Sequence, residues 1–302
     1  MKNPVEGIGK RPFTIKWISL ILFTILLLSA SCNKENPQDK NNSVYDSSVS
    51  YSLQNISYGN NSQQIMDIYL PANRKSSSTK VFVLIHGGGW SAGDKTDFAD
   101  LFNSLKSNYP NDAIININYQ LGTAASPGYP KQINDIKAAL SEIQQQKYDL
   151  SSQYFLFGAS AGGHLAMLYG YAFDAVHQVK AICNTVGPAD LTDPSYTNNN
   201  LAYMPALGGL VGNVLYTQNP GLYAEVSPVK HVTSSSPPTI SFYGDTDPLI
   251  PSTQMGLLKK ALDDNGVYNE ATMYAGAGHG NWNTAQSEDY VLKIMNFINF
   301  HF

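Results

Sequence analysis

Six short apolar runs without polar alternation constrain the fold of this chain more than any other feature. Lys80 to Ile85, Ala113 to Tyr119, Tyr154 to Phe157, Ala181 to Val186, Thr239 to Tyr243 and Ala271 to Tyr274 each have the length of a strand. A strand with one face in water alternates polar and apolar residues, whereas continuous apolar runs suit strands covered on both faces, as in a parallel sheet. Helical stripes lie between the runs: Ile133, Ile136, Leu140 and Ile143; Leu165, Met167 and Leu168; Leu258, Ala261 and Leu262 before Gly266; and a last helix carrying Tyr290, Val291, Ile294, Phe297 and Ile298. Strand followed by helix, repeated, predicts an α/β fold with a mostly parallel central sheet and helices on both faces. The 302 residues are 43% hydrophobic and 14% charged, enough apolar material for a sizeable core. No second domain and no internal repeat is visible. Residues 187 to 227, rich in Gly, Asn, Pro and Tyr, read as one long insertion near the carboxyl edge of the sheet, where ligands bind in such folds.

The first residues read as an address. A basic stretch ending at Lys16 runs into the twelve largely apolar residues 17 to 28, which as a helix would span about 18 Å, short of the roughly 30 Å of a bilayer core. That is the length of a secretory signal. Ser29-Ala30-Ser31-Cys32 then resembles the lipobox of bacterial lipoproteins, with Ser29 where Leu usually stands. The expectation is a lipoprotein signal peptide over 1–31, lipidation at Cys32, a flexible tether over 32–52 and the α/β domain over 53–302. The tether is rich in Asn, Ser, Asp and Lys, with almost nothing to bury. Such a chain would be secreted across the inner membrane and held in the cell envelope, at the outer membrane or cell surface.

Nineteen Lys and Arg against 23 Asp and Glu give a net charge of -4, and without residues 1–31 the balance is -7. A phosphate backbone requires clustered cations, so nucleic-acid binding is not expected. Two cysteines, Cys32 and Cys183, make no disulfide framework, and Cys183 in its apolar run reads as a core residue. No metal-ligand spacing occurs, and neither a metal nor another cofactor is implied. Two partial motifs fail on their partners. Ser227 to Lys230 spells SxxK with no KTG after it, and the loop from Gly88 to Thr96 places Asp94 where a phosphate loop needs Lys.

The run Gly158-Ala159-Ser160-Ala161-Gly162-Gly163 follows an apolar strand and precedes an apolar helix. This is GxSxG in the context its chemistry needs, a tight strand-to-helix turn that lifts a serine hydroxyl out of the sheet. A hydroxyl is a weak nucleophile until a base takes its proton, so a histidine and an orienting carboxylate should follow in the order Ser, acid, His. Of the six histidines, His279 sits in the glycine-rich loop Gly276 to Trp282 after the last apolar strand and is the expected base. Two carboxylates compete for the acid in Gly244-Asp245-Thr246-Asp247-Pro248. Asp247, before Pro248-Leu249-Ile250-Pro251, is taken as the acid, and Asp245 is expected to bond its own turn. Negative charge on a tetrahedral intermediate needs preset donors, each contributing about 3 to 4 kcal/mol to the barrier. His86-Gly87-Gly88-Gly89-Trp90 follows the first core strand, which assigns the N–H groups of Gly88, Gly89 and Ala161 as donors and leaves His86 structural.

HGGGW, Asn118-Tyr119, GASAGG, the LGG at 207–209, SPVKHV from 227, GDTDPLIP and GAGHG occur in the order seen in esterases of the α/β-hydrolase fold. From about residue 55 to its end the chain resembles the lipase and carboxylesterase group with an HGGG loop, especially bacterial carbohydrate and feruloyl esterases. One departure is Gln120, where that family often has Arg. The resemblance implies a serine carboxylic-ester hydrolase that forms an acyl-enzyme and deacylates acetylated or feruloylated plant polysaccharides. An arylformamidase-type amidase and a non-catalytic glycan-binding lipoprotein are the alternatives. Trp90 and Trp282 flank the site in sequence and are candidate substrate contacts through sugar or aromatic stacking. A small-molecule or polysaccharide ester and the membrane, through the lipid, are the expected partners; oligomeric state is not legible.

Overall fold

The computed structural model describes residues 45–145, 148–198 and 200–302. Eight strands, β1 (Tyr51–Ser57), β2 (Ile65–Leu70), β3 (Val81–Ile85), β4 (Ala113–Ile117), β5 (Tyr154–Ala159), β6 (Val179–Thr185), β7 (Thr239–Gly244) and β8 (Asn269–Tyr274), form one sheet in the order β1-β2-β4-β3-β5-β6-β7-β8. β1 and β2 are antiparallel additions, and every pair from β4 across to β8 is parallel. All six expected strands are present, and every residue of β3 and β4 is buried. β1 and β2 carry no continuous apolar run of the kind that reveals the others. β1 half-buries Tyr51, Leu53 and Ile56 between exposed Ser, Gln and Asn, and its register slips between Leu53 and Ile56, where Asn55 adopts a φ of 54°.

The helices are α1 (Ala99–Asn108), α2 (Lys131–Gln145), α3 (Ala161–Leu168), α4 (Pro194–Thr197), α5 (Asn200–Val211), α6 (Pro220–Glu225), α7 (Thr253–Asp264) and α8 (Thr284–His301). The pleat of β3 sorts them into two layers. Val81, Val83 and Ile85 point into the core built with α2, α3 and α7, while Phe82 and Leu84 point into the opposite core, with α1 and α8. The second core is aromatic, with Phe155 and Phe157 4.6 Å apart between ring centroids. Cys183 lies in it fully buried, and burial pushes its thiol up to about 12. The expected insertion, residues 187–227, contains α4, α5 and α6.

The body begins earlier than residue 53. The buried Arg74 guanidinium donates to the carbonyls of Tyr45 (2.7 Å), Val49 (2.8 Å) and Tyr148 (2.6 Å), and the Tyr45 ring meets Tyr51 edge-on at 5.1 Å. Residues 45–52 are therefore fastened to the sheet rather than part of a free tether. The expected signal peptide, Cys32 and the rest of the tether lie outside the described residues. Among the described residues no helix is long and apolar enough to cross a membrane.

Candidate active site

The carboxyl ends of β3, β5, β7 and β8 converge on one point. Ser160 follows β5 directly with φ 54° and ψ -122°, outside the regions a side chain ordinarily allows, and its N–H donates to Thr185 O at 2.8 Å. Two glycines make that turn possible. A Cβ on Gly162 would stand 1.9 Å from Ile85 O, and one on Gly158 would stand 2.2 Å from Gly162 O. The serine is thereby held at the start of α3, with its hydroxyl at the floor of a cleft.

His279, in the loop after β8, faces the serine from across the cleft. Its Nε2 is 2.9 Å from Ser160 Oγ and its Nδ1 is 2.7 Å from Asp247 Oδ2. The other oxygen of Asp247 accepts the N–H groups of Leu249 (2.8 Å) and Ile250 (3.0 Å), so a carboxylate with a side chain only 1% exposed is satisfied on both oxygens. A carboxylate at Nδ1 fixes the ring proton on that nitrogen and leaves the Nε2 lone pair toward the hydroxyl. The three expected residues are thus brought into one hydrogen-bonded chain. Asp245 does not bond its own turn as expected. Its Oδ1 accepts the Gly276 N–H at 2.6 Å, joining the β7 loop to the loop that carries His279.

On the other side of Ser160, the chain after β3 takes three successive positive φ values, 108° at Gly88, 56° at Gly89 and 61° at Trp90. At Gly88 glycine is required, because a Cβ there would lie 2.1 Å from Ala92 O. Among the described residues the N–H groups of Gly88, Gly89 and Ala161 donate to no backbone oxygen, and all three belong to elements that meet at Ser160. His86 stacks on Tyr119 at 4.2 Å with an interplanar angle of 11°, and the Tyr119 hydroxyl donates to His86 O at 2.8 Å. Burial holds the His86 imidazole below its usual range, in keeping with a structural part. Gln120 meets Asp135 with its backbone N–H (2.7 Å) and its amide (2.9 Å), so a neutral amide occupies the place of the family's arginine.

The cleft encloses about 430 Å³. Besides Ser160 and His279, its walls include Phe98, Leu101, Phe157, Leu249 and Tyr290, with Asp97 and Asp100 among them. Phe98 and Leu101 escaped the sequence reading. The apolar spacing of Phe98, Leu101 and Leu105 at i, i+3 and i+7 was the available signal. Neither tryptophan lines this cleft. Trp90 is buried, 4% exposed, with its indole N–H donating to His164 Nδ1 at 3.1 Å. Trp282 packs on the far side against Tyr274 and Tyr290, with centroids at 4.7 and 4.9 Å. The positive φ of Trp90 turns its ring inward, which spacing along the chain could not show. Among the described residues no group of three His, Cys, Asp or Glu side chains is placed to hold a metal.

His164 also sets a pH limit on stability. It is fully buried, Nε2 faces Val226 O at 2.7 Å, and burial lowers its pKa to about 4. Below about pH 6.5 the unfolded chain takes up this proton while the folded chain does not. The contribution is complete above pH 6.5 and falls by up to about 1.4 kcal/mol per pH unit until about pH 4, where both states are charged. Urea melts of the wild type and of His164→Gln between pH 7 and 4 should therefore diverge, the wild type losing more stability with acid.

The family model BD-FAE matches residues 66–262. The chain belongs to the BD-FAE family. The BD-FAE match ends in α7, so β8 and His279 lie beyond it. The chain is 28% identical over 227 residues to esterase LipQ of Mycobacterium tuberculosis, a match covering 70% of this chain and 53% of that protein. It spans about half the length of the curated relatives it matches. A truncated carbohydrate esterase from gut microbiota superposes with a TM-score of 0.66 at 22% identity, over 83% of this BD-FAE chain and 97% of that one. A bifunctional GH43-CE protein of Bacteroides eggerthii also gives 0.66, at 26% identity, over 83% of this chain and 38% of that one. These likenesses agree with a mostly parallel α/β-hydrolase sheet.

Proposed function

We propose that this chain is a serine carboxylic-ester hydrolase that removes acetyl or aromatic acyl groups from plant polysaccharides. The observation that carries the reading is the unbroken chain from Asp247 Oδ2 through His279 to Ser160 Oγ, with links of 2.7 and 2.9 Å, on the floor of the cleft. Ser160 Oγ attacks the ester carbonyl as His279 Nε2 takes its proton. The oxygen of the tetrahedral adduct becomes negative and is met by the N–H groups of Gly88, Gly89 and Ala161. Collapse releases the alcohol, which takes the proton from His279, and leaves the acyl group on Ser160. A water activated by His279 then attacks the acyl-enzyme, frees the acid and restores the serine.

The substrate class draws support from the carbohydrate esterases among the similar structures and from the largely apolar walls of the cleft. Release of acetate or ferulate from acetylated xylan and feruloylated oligosaccharides, measured beside 1-naphthyl acetate, tests it. Remote sugar contacts realised in the transition state should raise kcat/KM above that of a bare aryl ester with the same acyl group. Because Trp282 packs into the aromatic core, Trp282→Ala should lower the melting temperature without changing the ratio between substrates. Glycans turned over no better than the aryl ester would leave a general carboxylesterase, and a formanilide cleaved faster than a phenyl ester would favour an amidase.

The same reading places the enzyme in the cell envelope, held by acylation of Cys32, on the strength of the apolar segment at 17–28 and the small residues before the cysteine. Cys32→Ser should release a soluble or unprocessed form from the membrane fraction. A fully processed mutant that stays in that fraction would overturn it.

A further inference from the structure

The donors assigned to the oxyanion come from two separate elements, the Gly88–Gly89 turn after β3 and the first residue of α3. They act together only if those elements keep a fixed register. Trp90 directly follows the turn, and its indole N–H donates to Nδ1 of His164, one helical turn below Ser160 on α3, at 3.1 Å. The two rings meet edge to face, with centroids 5.2 Å apart at 88°. His164 is itself pinned, since its N–H donates to Ser160 O at 3.1 Å and its Nε2 faces Val226 O at 2.7 Å. That second contact places the ring proton on Nε2 and leaves Nδ1 free to accept from Trp90. Trp90 is held from behind as well: its carbonyl accepts the Gly122 N–H at 2.7 Å and the amide of the fully buried Gln132 at 2.7 Å. A residue at φ 61° after two positive-φ glycines has no local reason to keep that shape, so these long-range bonds set it.

We infer that Trp90 and His164 form a positioning pair that locks the glycine turn to the nucleophile helix and so aligns the two sets of oxyanion donors. The inference rests on the esterase reading above. Neither side chain touches substrate; the pair acts through the backbone of residues 88, 89 and 161. Misplacement of a catalytic group by about 1 Å costs roughly 100-fold, and loss of a whole donor roughly 100- to 1,000-fold. Releasing the pair should thus cost kcat roughly 10- to 100-fold.

The test replaces Trp90 by its 3-benzothienyl analogue, which exchanges only the indole N–H for sulfur, alongside Trp90→Phe, His164→Leu and His164→Gln. Expected are a kcat on 1-naphthyl acetate lower by roughly 10- to 100-fold in the first three, a KM within about threefold of wild type, and a parallel loss of affinity for phenylboronic acid, which forms a tetrahedral adduct on serine. The Trp90→Phe/His164→Leu double variant should be no worse than either single change, because both break one contact. His164→Gln, which supplies an acceptor and a donor, should recover most of the rate. A kcat within about twofold of wild type for the folded benzothienyl variant overturns the inference, as does a loss seen only in KM or an additive double variant. Wild-type turnover that survives Ser160→Ala would sink the esterase reading instead. The indole N–H resonance of Trp90, shifted by its bond in the wild type and moved in His164→Leu, reports the pair without any turnover.

Discussion

Ser160→Ala is expected to lower kcat on p-nitrophenyl acetate by roughly four to six orders of magnitude, with the melting temperature little changed. The methyl group fits where the hydroxymethyl stood. The strained backbone is set by the glycines at 158 and 162 and by the Ser160 N–H bond to Thr185 O, none of which depends on the hydroxyl. What disappears is the atom that forms the acyl bond, together with the acceptor-facing proton for His279. The donors at Gly88, Gly89 and Ala161 remain, so a small residual rate over water should persist. A fluorophosphonate should label the wild type at Ser160 and leave the alanine variant untouched. Labelling at another serine would reassign the nucleophile.

Asp247→Asn should cost roughly 10,000-fold in kcat, whereas Asp245→Asn should act mainly through stability. Asparagine can keep one oxygen toward the N–H groups of Leu249 and Ile250, so the loop after β7 should survive. The amide it turns toward His279 no longer fixes the ring proton on Nδ1, and the tautomer with a proton on Nε2 cannot accept from Ser160. Asp245 instead receives the Gly276 N–H, a contact that joins two loops and touches no reacting atom. Its carbonyl-bearing asparagine analogue can still accept that bond. A larger rate loss from Asp245→Asn than from Asp247→Asn would exchange their roles.

The parallel strands were legible because burial on both faces writes itself into composition, as in Val81–Ile85, where polar residues have no place. The antiparallel strands β1 and β2 were not, because β1 buries only one face and breaks its alternation at Asn55, and Asp67 interrupts β2. Ser160, His279 and Asp247 were readable for a related reason: each sits on a turn whose glycines or proline leave few conformations, and the ends of parallel strands bring such turns together. Trp90 was misplaced by the same reading. Its neighbours in sequence belong to the cleft, but a left-handed backbone carries its ring to a histidine 74 residues away. The wall formed by Phe98, Leu101 and Tyr290 needed the packing of α1 against α8, a pairing that neither helix pattern contains. The fastening of Tyr45 and Val49 by Arg74 was equally hidden, since one guanidinium reaching four carbonyls leaves no trace in spacing.

The hydrogen-bonded chain joins Ser160 to a histidine 119 residues later, and that histidine follows the last strand of the sheet. A ribosome therefore delivers the serine long before its base. Until β8 docks on β7, the hydroxyl has no partner to take its proton and is no more reactive than any other serine. If the proposed chemistry holds, synthesis order gives the chain a built-in latency: a polypeptide that ends before residue 279 carries the nucleophile without its base.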